Sequence, residues 1–486
     1  MGPTTTDDER PVDPRVVELE ATLADRDAAL AVLKAQVVLL KAQLELLTEQ
    51  LGQNSSNSHR PPSSDGPGAG AGGKRRNKKD DKRKRGGQKG HRGAHRELVP
   101  VERVDEIVEL FPEVCLGCAA TLPQNHDIDP HRHQLLELLL GKAHITEFRR
   151  HEVQCPRCGH WTLAAYDKSK IPSSPFGPRL IAVVAMLTGV YHLSRRKAQQ
   201  LLRELFGIEV SLGALSRMEA RASQALKSAF DEAQREVEQA DVKHTDATTW
   251  IRAGIWMSLW VLASMMATVY RIVENGRRET IQPLYGPLIG ILISDRATVF
   301  GFWSMALRQI CWAHIIRKFV AFSERDGPAG AIGRELLDCA ALVFEYWHRF
   351  KDGALTREEL EIWMRPVRQH FETVLARAVK NDIERVAGSC ADILAHAEAL
   401  WTFVTHEGVE PTNNHAEREL RAFVLWRKRS FGSQSERGER FAERLMTVAQ
   451  TARKQGKDVL DFIVRSVTAH VCGATPPALI ACSQPA

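Results

Sequence analysis

The sequence predicts an α/β core interrupted by a helical insertion and reached through a long N-terminal helix, a cysteine-bearing module and a short helical segment. Three observations carry this expectation. Apolar and β-branched runs at 248–252, 255–263 and 268–274 read as consecutive strands. Arg277 to Tyr285 then reads as a helix, and Leu288 to Ile293 as a buried strand ending at Ser294-Asp295. Three strands, a helix and a returning buried strand make the first half of a ribonuclease-H-like sheet. After a further strand expected at Ile310 to His314, residues 326–405 are helical in pattern almost throughout, which marks them as an insertion. The core resumes at Pro411 with a helix through Arg421 and a last helix from about Glu436 to Arg453.

Ahead of this core, Val16 to Leu51 keeps a heptad. Its a positions are Val16, Leu23, Leu30, Val37, Leu44 and Leu51, and its d positions are Leu19, Arg26, Leu33, Leu40 and Leu47. Only Arg26 breaks the seam. A 3.5-residue period held this long predicts a coiled coil, most simply a homodimer, because a lone surface helix drifts off such a stripe. The competing reading is a helix lying on its own chain. Gly52 to Gly73 is a Ser/Pro/Gly/Asn linker that cannot bury a core. Gly68, Gly73 and Lys74 imitate a phosphate-binding loop, but Arg75 follows and no strand precedes, which excludes nucleotide binding there.

The chain of 486 residues is too long for one ordinary domain, and 43% hydrophobic content supplies a core for most of it. Its charge is localised. Lys74 to Arg92 holds eleven cations (Lys74, Arg75, Arg76, Lys78, Lys79, Lys82, Arg83, Lys84, Arg85, Lys89 and Arg92) against Asp80 and Asp81, a local +9. The remainder therefore carries −3 of the net +6. A phosphate backbone is the natural counter-charge. The most apolar stretch, Ile255 to Tyr270, is short and interrupted by Ser258, Ser264 and Thr268, so no membrane span is expected. An acidic, polar N-terminus and nine cysteines without a disulfide pattern point to a reducing cytoplasm.

Four of those cysteines form Cys115-Leu-Gly-Cys118 and Cys155-Pro-Arg-Cys158. Two residues between thiols put both sulfurs on one tight turn, and two such turns complete a tetrahedral zinc site. A redox dithiol is the alternative, but neither pair heads a βαβ unit. From Leu180 the chain is strongly apolar and helical. Ala198, Leu201, Leu202 and Leu205, a break at Gly207 and a cap at Ser211 then outline a helix–turn–helix, either a packing unit or a DNA reader.

Asp246 lies mid-strand and Asp295 ends an apolar strand; an acid there is costly unless paired or metal-bound. Adjacent first and fourth strands would bring the two together, able to hold a pair of Mg2+ (or Mn2+) ions. Glu417 is the candidate third acid. Its competing reading is a capping box with Asn414. Cys311 and His314 read as a buried strand pair, with no further zinc ligand in view. Trp347, Trp363 and Trp401 read as core. Arg418, Arg421, Arg427, Lys428 and Arg429 give the surroundings of Glu417 a basic face suited to DNA phosphates.

The chain resembles transposases of the insertion-sequence 66 family. The resemblance is carried by LGQNSSNSHRPPSSDG (51–66), GGQKGHRGAHRELVP (86–100), both cysteine pairs, HTDATTW (244–250), LISD (292–295), CWAHIIRKF (311–319), PTNNHAERELR (411–421) and RKRSFGS (427–433). It implies a DDE-type enzyme with a helical insertion before its glutamate, and catalytic acids Asp246, Asp295 and Glu417. Such an enzyme binds double-stranded DNA, cuts its element's ends, joins the 3′ ends to target DNA and travels with small accessory proteins. Where the family has a DET-like motif, this chain has Asp246-Ala247-Thr248. The rival reading is a transposase-derived regulator that binds DNA without cutting.

Together these readings divide the chain into a coil (1–52), a linker with the basic run (53–96), a zinc module (97–168) and a helical segment (175–238). A catalytic core (239–325 and 406–455) then surrounds the insertion (326–405), and a C-terminal helix and tail (456–486) close the chain.

Overall fold

A computed structural model describes residues 98–124, 130–135, 141, 143–154, 156–158, 160–164 and 174–480, with scattered positions between 26 and 57. The described residues fall into two compact units. The larger draws on Met1–Gly72, Ala165–Arg195 and Gly213–Ala486, the smaller on Gly73–Ala164 and Arg196–Leu212.

In the smaller unit, β1 (Glu152–Gln154) pairs antiparallel with β2 (Trp161–Leu163). Cys158 lies in the turn between them; Cys155 is outside the described residues. An isolated bridge between Val114 and Thr121 closes the turn that carries Cys115 and Cys118. Within that turn Cys115 N–H donates to the Ala120 carbonyl and Ala119 N–H to the Cys115 carbonyl, both at 2.8 Å. Cys115 and Cys118 therefore belong to one tight hairpin turn.

The larger unit is built on a five-stranded sheet. Its strands are β3 (Val242–Arg252), β4 (Ile255–Ala263), β5 (Thr268–Val273), β6 (Ile291–Ser294) and β7 (Arg308–Ile310), in the spatial order β5-β4-β3-β6-β7. β4 runs antiparallel to both β3 and β5, whereas β6 is parallel to β3 and β7 to β6. β3 begins six residues before the apolar run that announces it, because Lys243, His244 and Thr245 are polar yet buried. Burial is tolerable because each finds a partner: Lys243 donates to the carbonyls of Ala240 (2.6 Å) and Ile289 (2.7 Å), and Thr245 to that of Val261 (2.9 Å).

Helices cover the sheet. In the larger unit, α1 (Pro178–Ala185) runs into a π-helical turn, Met186–Val190. α2 (Arg195–Phe206) and Gly207 at φ +65° fall almost wholly in the smaller unit, and α3 (Leu212–Ala225) and α4 (Lys227–Gln239) return to the larger one. The helix expected at Arg277 to Tyr285 is one α-turn, α5 (Arg278–Ile281), continued as a 3-10 turn to Tyr285.

The strand expected at 310–314 is a correction. β7 stops at Ile310, Cys311 is an N-cap, and α6 (Trp312–Ser323) follows. A short apolar run looks alike in either state, and the Trp312-x-x-Ile315-x-x-x-Phe319 spacing settles it as helix.

The insertion is helical as expected: α7 (Gly327–Lys351), α8 (Arg357–Lys380), α9 (Ala387–Ala395) and α10 (Thr402–Thr405). Thr356 and Glu359 form a reciprocal capping box that starts α8. Gly333 allows α7 to cross α6 closely, since a Cβ there would collide with the backbone of Ser323. Trp347 and Trp401 join the core that links this insertion to Ile293 and Ile310 of the sheet. Trp363 does not: it is 43% exposed and stacks edge-on to Tyr346, under the Arg349 guanidinium.

The chain then returns through α11 (Asn414–Ser430), α12 (Glu436–Lys454) and α13 (Val459–Cys472). α11 extends nine residues past the expected Arg421. Phe423 and Trp426 hold it on the sheet against Trp250 at 5.5 and 6.0 Å, and Tyr270 lies 4.7 Å from Phe423.

At the described positions of the N-terminal helix, the seam residues Leu30, Leu33, Val37, Leu40 and Leu44 are all exposed, from 47% to 66%. No helix among the described residues is long and apolar enough to cross a membrane.

Candidate active site

The parallel register pairs Val242, Lys243 and His244 with Ile291, Leu292 and Ile293. Asp246 and Asp295 each stand two residues beyond the last pair, on neighbouring strands about 4.8 Å apart. Asp246 Oδ1 accepts from Ala247 N–H (2.8 Å), and Asp295 Oδ1 from Ala297 N–H (3.0 Å). These bonds fix how each carboxylate is turned. Arg308, fully buried on β7, donates to the Asp295 main-chain carbonyl and to Ser294 Oγ, both at 3.2 Å, anchoring the strand end.

Glu417 comes in from the first turn of α11. Burial pushes the Asp246 carboxyl up to about 7, and the nearby carboxylates of Asp295 and Glu417 push the same way against the opposing pull of Arg317. Glu417 is raised too, chiefly by burial, with Arg317 again opposing. Asp246 therefore feels both Asp295 and Glu417, with Arg317 of α6 acting on Asp246 and Glu417 and with Arg296 and Arg308 acting on Asp295.

The capping reading of Glu417 does not hold. The N-cap of α11 is Asn413, which puts Glu417 one position past the place a capping box requires. Asn413 does not cap with its side chain either. It is buried and bonded across three elements: Nδ2 donates to the Thr245 carbonyl (2.7 Å), Oδ1 faces His244 Nδ1 (3.3 Å), and its N–H points at Cys311 Sγ (3.2 Å). Because Oδ1 is an acceptor, the His244 ring donates through Nδ1; burial holds that ring neutral, with its pKa down to about 3.

Asn413 thus ties the Asp246 strand, the start of α6 and the start of the Glu417 helix together. Asn413→Ala strands these partners and is expected to cost about 1–3 kcal/mol. Asn414→Ala, at an exposed position, is expected to change stability by less than about 0.5 kcal/mol. Urea denaturation of the two variants checks the contrast.

Cys311 and His314 are not a strand pair. Their ligating atoms and a Glu417 oxygen all lie within 4.8 Å of one another, a group able to hold a cation. The missing ligand came from α11, a hundred residues away, where spacing cannot reveal it. Burial raises the Cys311 thiol to about 11. Arg317, also missed, carries no signal in sequence beyond its place on α6.

Among the basic candidates, Arg418, Arg421, Lys428 and Arg429 are exposed on α11. Arg427 instead turns inward to Thr248 and Thr249. Lys74, Arg75, Arg76, Lys78, Lys79, Lys82, Arg83, Lys84 and Arg85 lie outside the described residues. In the smaller unit the backbone N–H groups of Gly117 and Cys118 point at the Cys115 thiol and lower its pKa, as a metal-ready knuckle does.

The profile described as Transposase IS66 family matches residues 173–440. The chain belongs to the IS66 transposase family. The matched stretch contains Asp246, Asp295 and Glu417 and begins after both cysteine pairs. A family of unknown function, DUF6444, matches residues 10–97, the heptad helix and basic run. Two relatives from Sinorhizobium fredii, both described as uncharacterized proteins, are also similar. One, y4qI, is 23% identical over 76% of this chain and 72% of its own length. The other, y4hP, is 24% identical over 73% and 69%.

Proposed function

We propose that this IS66-family chain is a DDE-type transposase that binds the ends of its element, cuts the DNA and joins the freed 3′ ends to a target. The observation that carries this reading is the convergence of Asp246, Asp295 and Glu417, with Asp246 raised to about 7. The strand order, with only the second strand reversed, supports reading the sheet as ribonuclease-H-like. We assign 239–325 and 406–455 to that core.

Asp246, Asp295 and Glu417 would together make an all-oxygen donor set of the kind that suits Mg2+ or Mn2+. Bound there, two such ions supply an activated water or 3′-hydroxyl and stabilise the leaving oxygen. The chain's own residues do the rest. The N–H groups of Ala247 and Ala297 orient Asp246 and Asp295, and Arg317 offsets charge between Asp246 and Glu417. Cys311 fits a structural part better than a ligand one, because its sulfur already receives the Asn413 N–H and its thiol is held protonated by burial.

The basic run and the exposed face of α11 at Arg421, Lys428 and Arg429 are suited to duplex phosphates, with Arg427 holding the helix to β3. The seam left exposed on the N-terminal helix is suited to a second copy, giving a homodimer or larger assembly at the bacterial nucleoid. The test is cleavage of element-end DNA, which should require Mg2+ and stop with a chelator. Tight end binding without any cutting would leave a non-cutting regulator instead.

Two further outcomes follow. Purified protein should carry one zinc on Cys115, Cys118, Cys155 and Cys158; Cys155→Ser should release it and leave the sheet folded. Metal analysis with circular dichroism reads both. Each phosphate neutralised contributes roughly −0.9 to the slope of log K against log salt. Deleting residues 74–85 should therefore flatten that slope by several units; an unchanged slope removes the run from the DNA interface.

A further inference from the structure

The β3–β4 hairpin ends in Ala253-Gly254, at φ +49° and +86°. Positive φ at both positions is the type I′ turn, which Asn-Gly or Gly-Gly fills easily and alanine does not. A second strained residue belongs to the same place. Phe431 closes α11 at φ +57°, in the left-handed region where a helix ordinarily puts glycine. Gly432 follows, so close to β3 that a Cβ would collide with the Ile251 carbonyl. Ser433 N–H donates to that carbonyl and Ala253 N–H donates to the Ser433 carbonyl, each at 2.9 Å. The chain leaving α11 is therefore bonded to the hairpin tip.

Large apolar side chains are exposed at this tip: Ile255 at 61%, Trp256 at 66% and Phe431 at 74%. Strain and exposure are both unfavourable, and they coincide at one place. That combination marks a contact surface.

Charge says what covers it. Arg418, Arg421, Leu425 and Lys428 recur at helical spacing and form one exposed stripe on α11, with Arg429 beside its end. None of these four cations has an ion-pair partner among the described residues. The stripe starts next to Glu417 and ends at Phe431. Fourteen residues of helix span about 21 Å, and seven residues of β3 from Asp246 to Ala253 span about 23 Å. The tip thus stands roughly 20 Å from the carboxylates, about six base pairs of duplex.

We propose that the hairpin tip is a duplex-DNA contact, in which phosphates follow the α11 stripe while Trp256 and Phe431 wedge against base pairs about six steps from the bond to be cut. The proposal rests on the transposase reading and adds a second, non-catalytic anchor to it. A second copy of the chain is a poorer occupant, since a two-fold contact would set Lys428 and Arg429 against their own counterparts.

The test uses the full chain and a random-sequence duplex carrying 5-iododeoxyuridine. Irradiation should cross-link Trp256 or Phe431, identified by peptide mass spectrometry. Trp256→Ser should weaken binding about tenfold, while Ile362→Ser, equally exposed but in the insertion, should not. Phe431→Gly is the decisive variant: removing strain should raise the melting temperature while DNA affinity falls. Unchanged affinity in the Trp256 and Phe431 variants, with no cross-link at either residue, overturns the proposal. So does a loss of self-association in these variants with DNA binding intact. Failure of the wild type to bind any duplex overturns the transposase reading as well, which separates the two.

Discussion

Asp295→Asn should abolish strand cleavage, by at least about a thousandfold, while leaving DNA-end binding and the sheet intact. Asparagine keeps the size of the side chain and the oxygen that accepts the Ala297 N–H. What it removes is the charge proposed to hold a divalent ion beside Asp246. Glu417→Gln should fall equally far, and combining the two should add little, because residues acting on one metal pair are a unit. A capping role would have made Glu417→Gln harmless, but the helix starts one residue too early for that role. No substitute acid waits nearby: Glu410 lies 3.8 Å from Lys351, and Glu419 lies 3.4 Å from Lys454. Gel electrophoresis of nicked and joined products reads the loss; substantial Mg2+-dependent cutting by Glu417→Gln would remove Glu417 from the set.

Asp246 and Asp295 stand out in the sequence because each breaks a local rule. Both are charges inside apolar strand patterns, and strand pairing turns that anomaly into a pair. Strands β3 to β6 were legible from apolar and β-branched runs, apart from the polar start of β3. The fifth was blurred, because Ile310-Cys311-Trp312 is as apolar in a helix start as in a strand. The surroundings of the acids were not legible, since they depend on separations no periodicity encodes. Arg317 carries no distinguishing pattern, and the sequence reads His314 as half of a buried strand pair with Cys311. From the sequence Asn413 could either position the glutamate or cap its helix, and only the fold directs its side chain across to Thr245 and His244. The hairpin tip was hidden for the same reason: Phe431 and Ala253 are unremarkable letters until their φ angles and shared hydrogen bonds are known.

Asp246→Asn should make the metal-free protein more stable while making it inactive. The Asp246 carboxyl is raised from its ordinary 3.8 to about 7, first by burial and then by its acidic neighbours. Between those two values a folded chain keeps the proton that an unfolded chain has already released. Stability therefore falls as pH rises from about 4 to about 7, and the full penalty persists above that window. Three units correspond to at most about 4 kcal/mol, trimmed because Asp246 is partly reached by water. Asparagine has no charge to bury, and its amide oxygen can still accept the Ala247 N–H. At pH 8 the variant should exceed the wild type by about 2–4 kcal/mol in urea denaturation, and near pH 4 the two should converge. Glu443 is raised to about 7 by burial as well, but it is present in both proteins and cancels from the difference. Mg2+ should then raise the wild-type melting temperature, by offsetting the buried charge, and leave the variant almost unmoved. A variant no more stable than wild type at pH 8 would mean that burial and the neighbouring acids do not penalise the Asp246 charge in the folded protein.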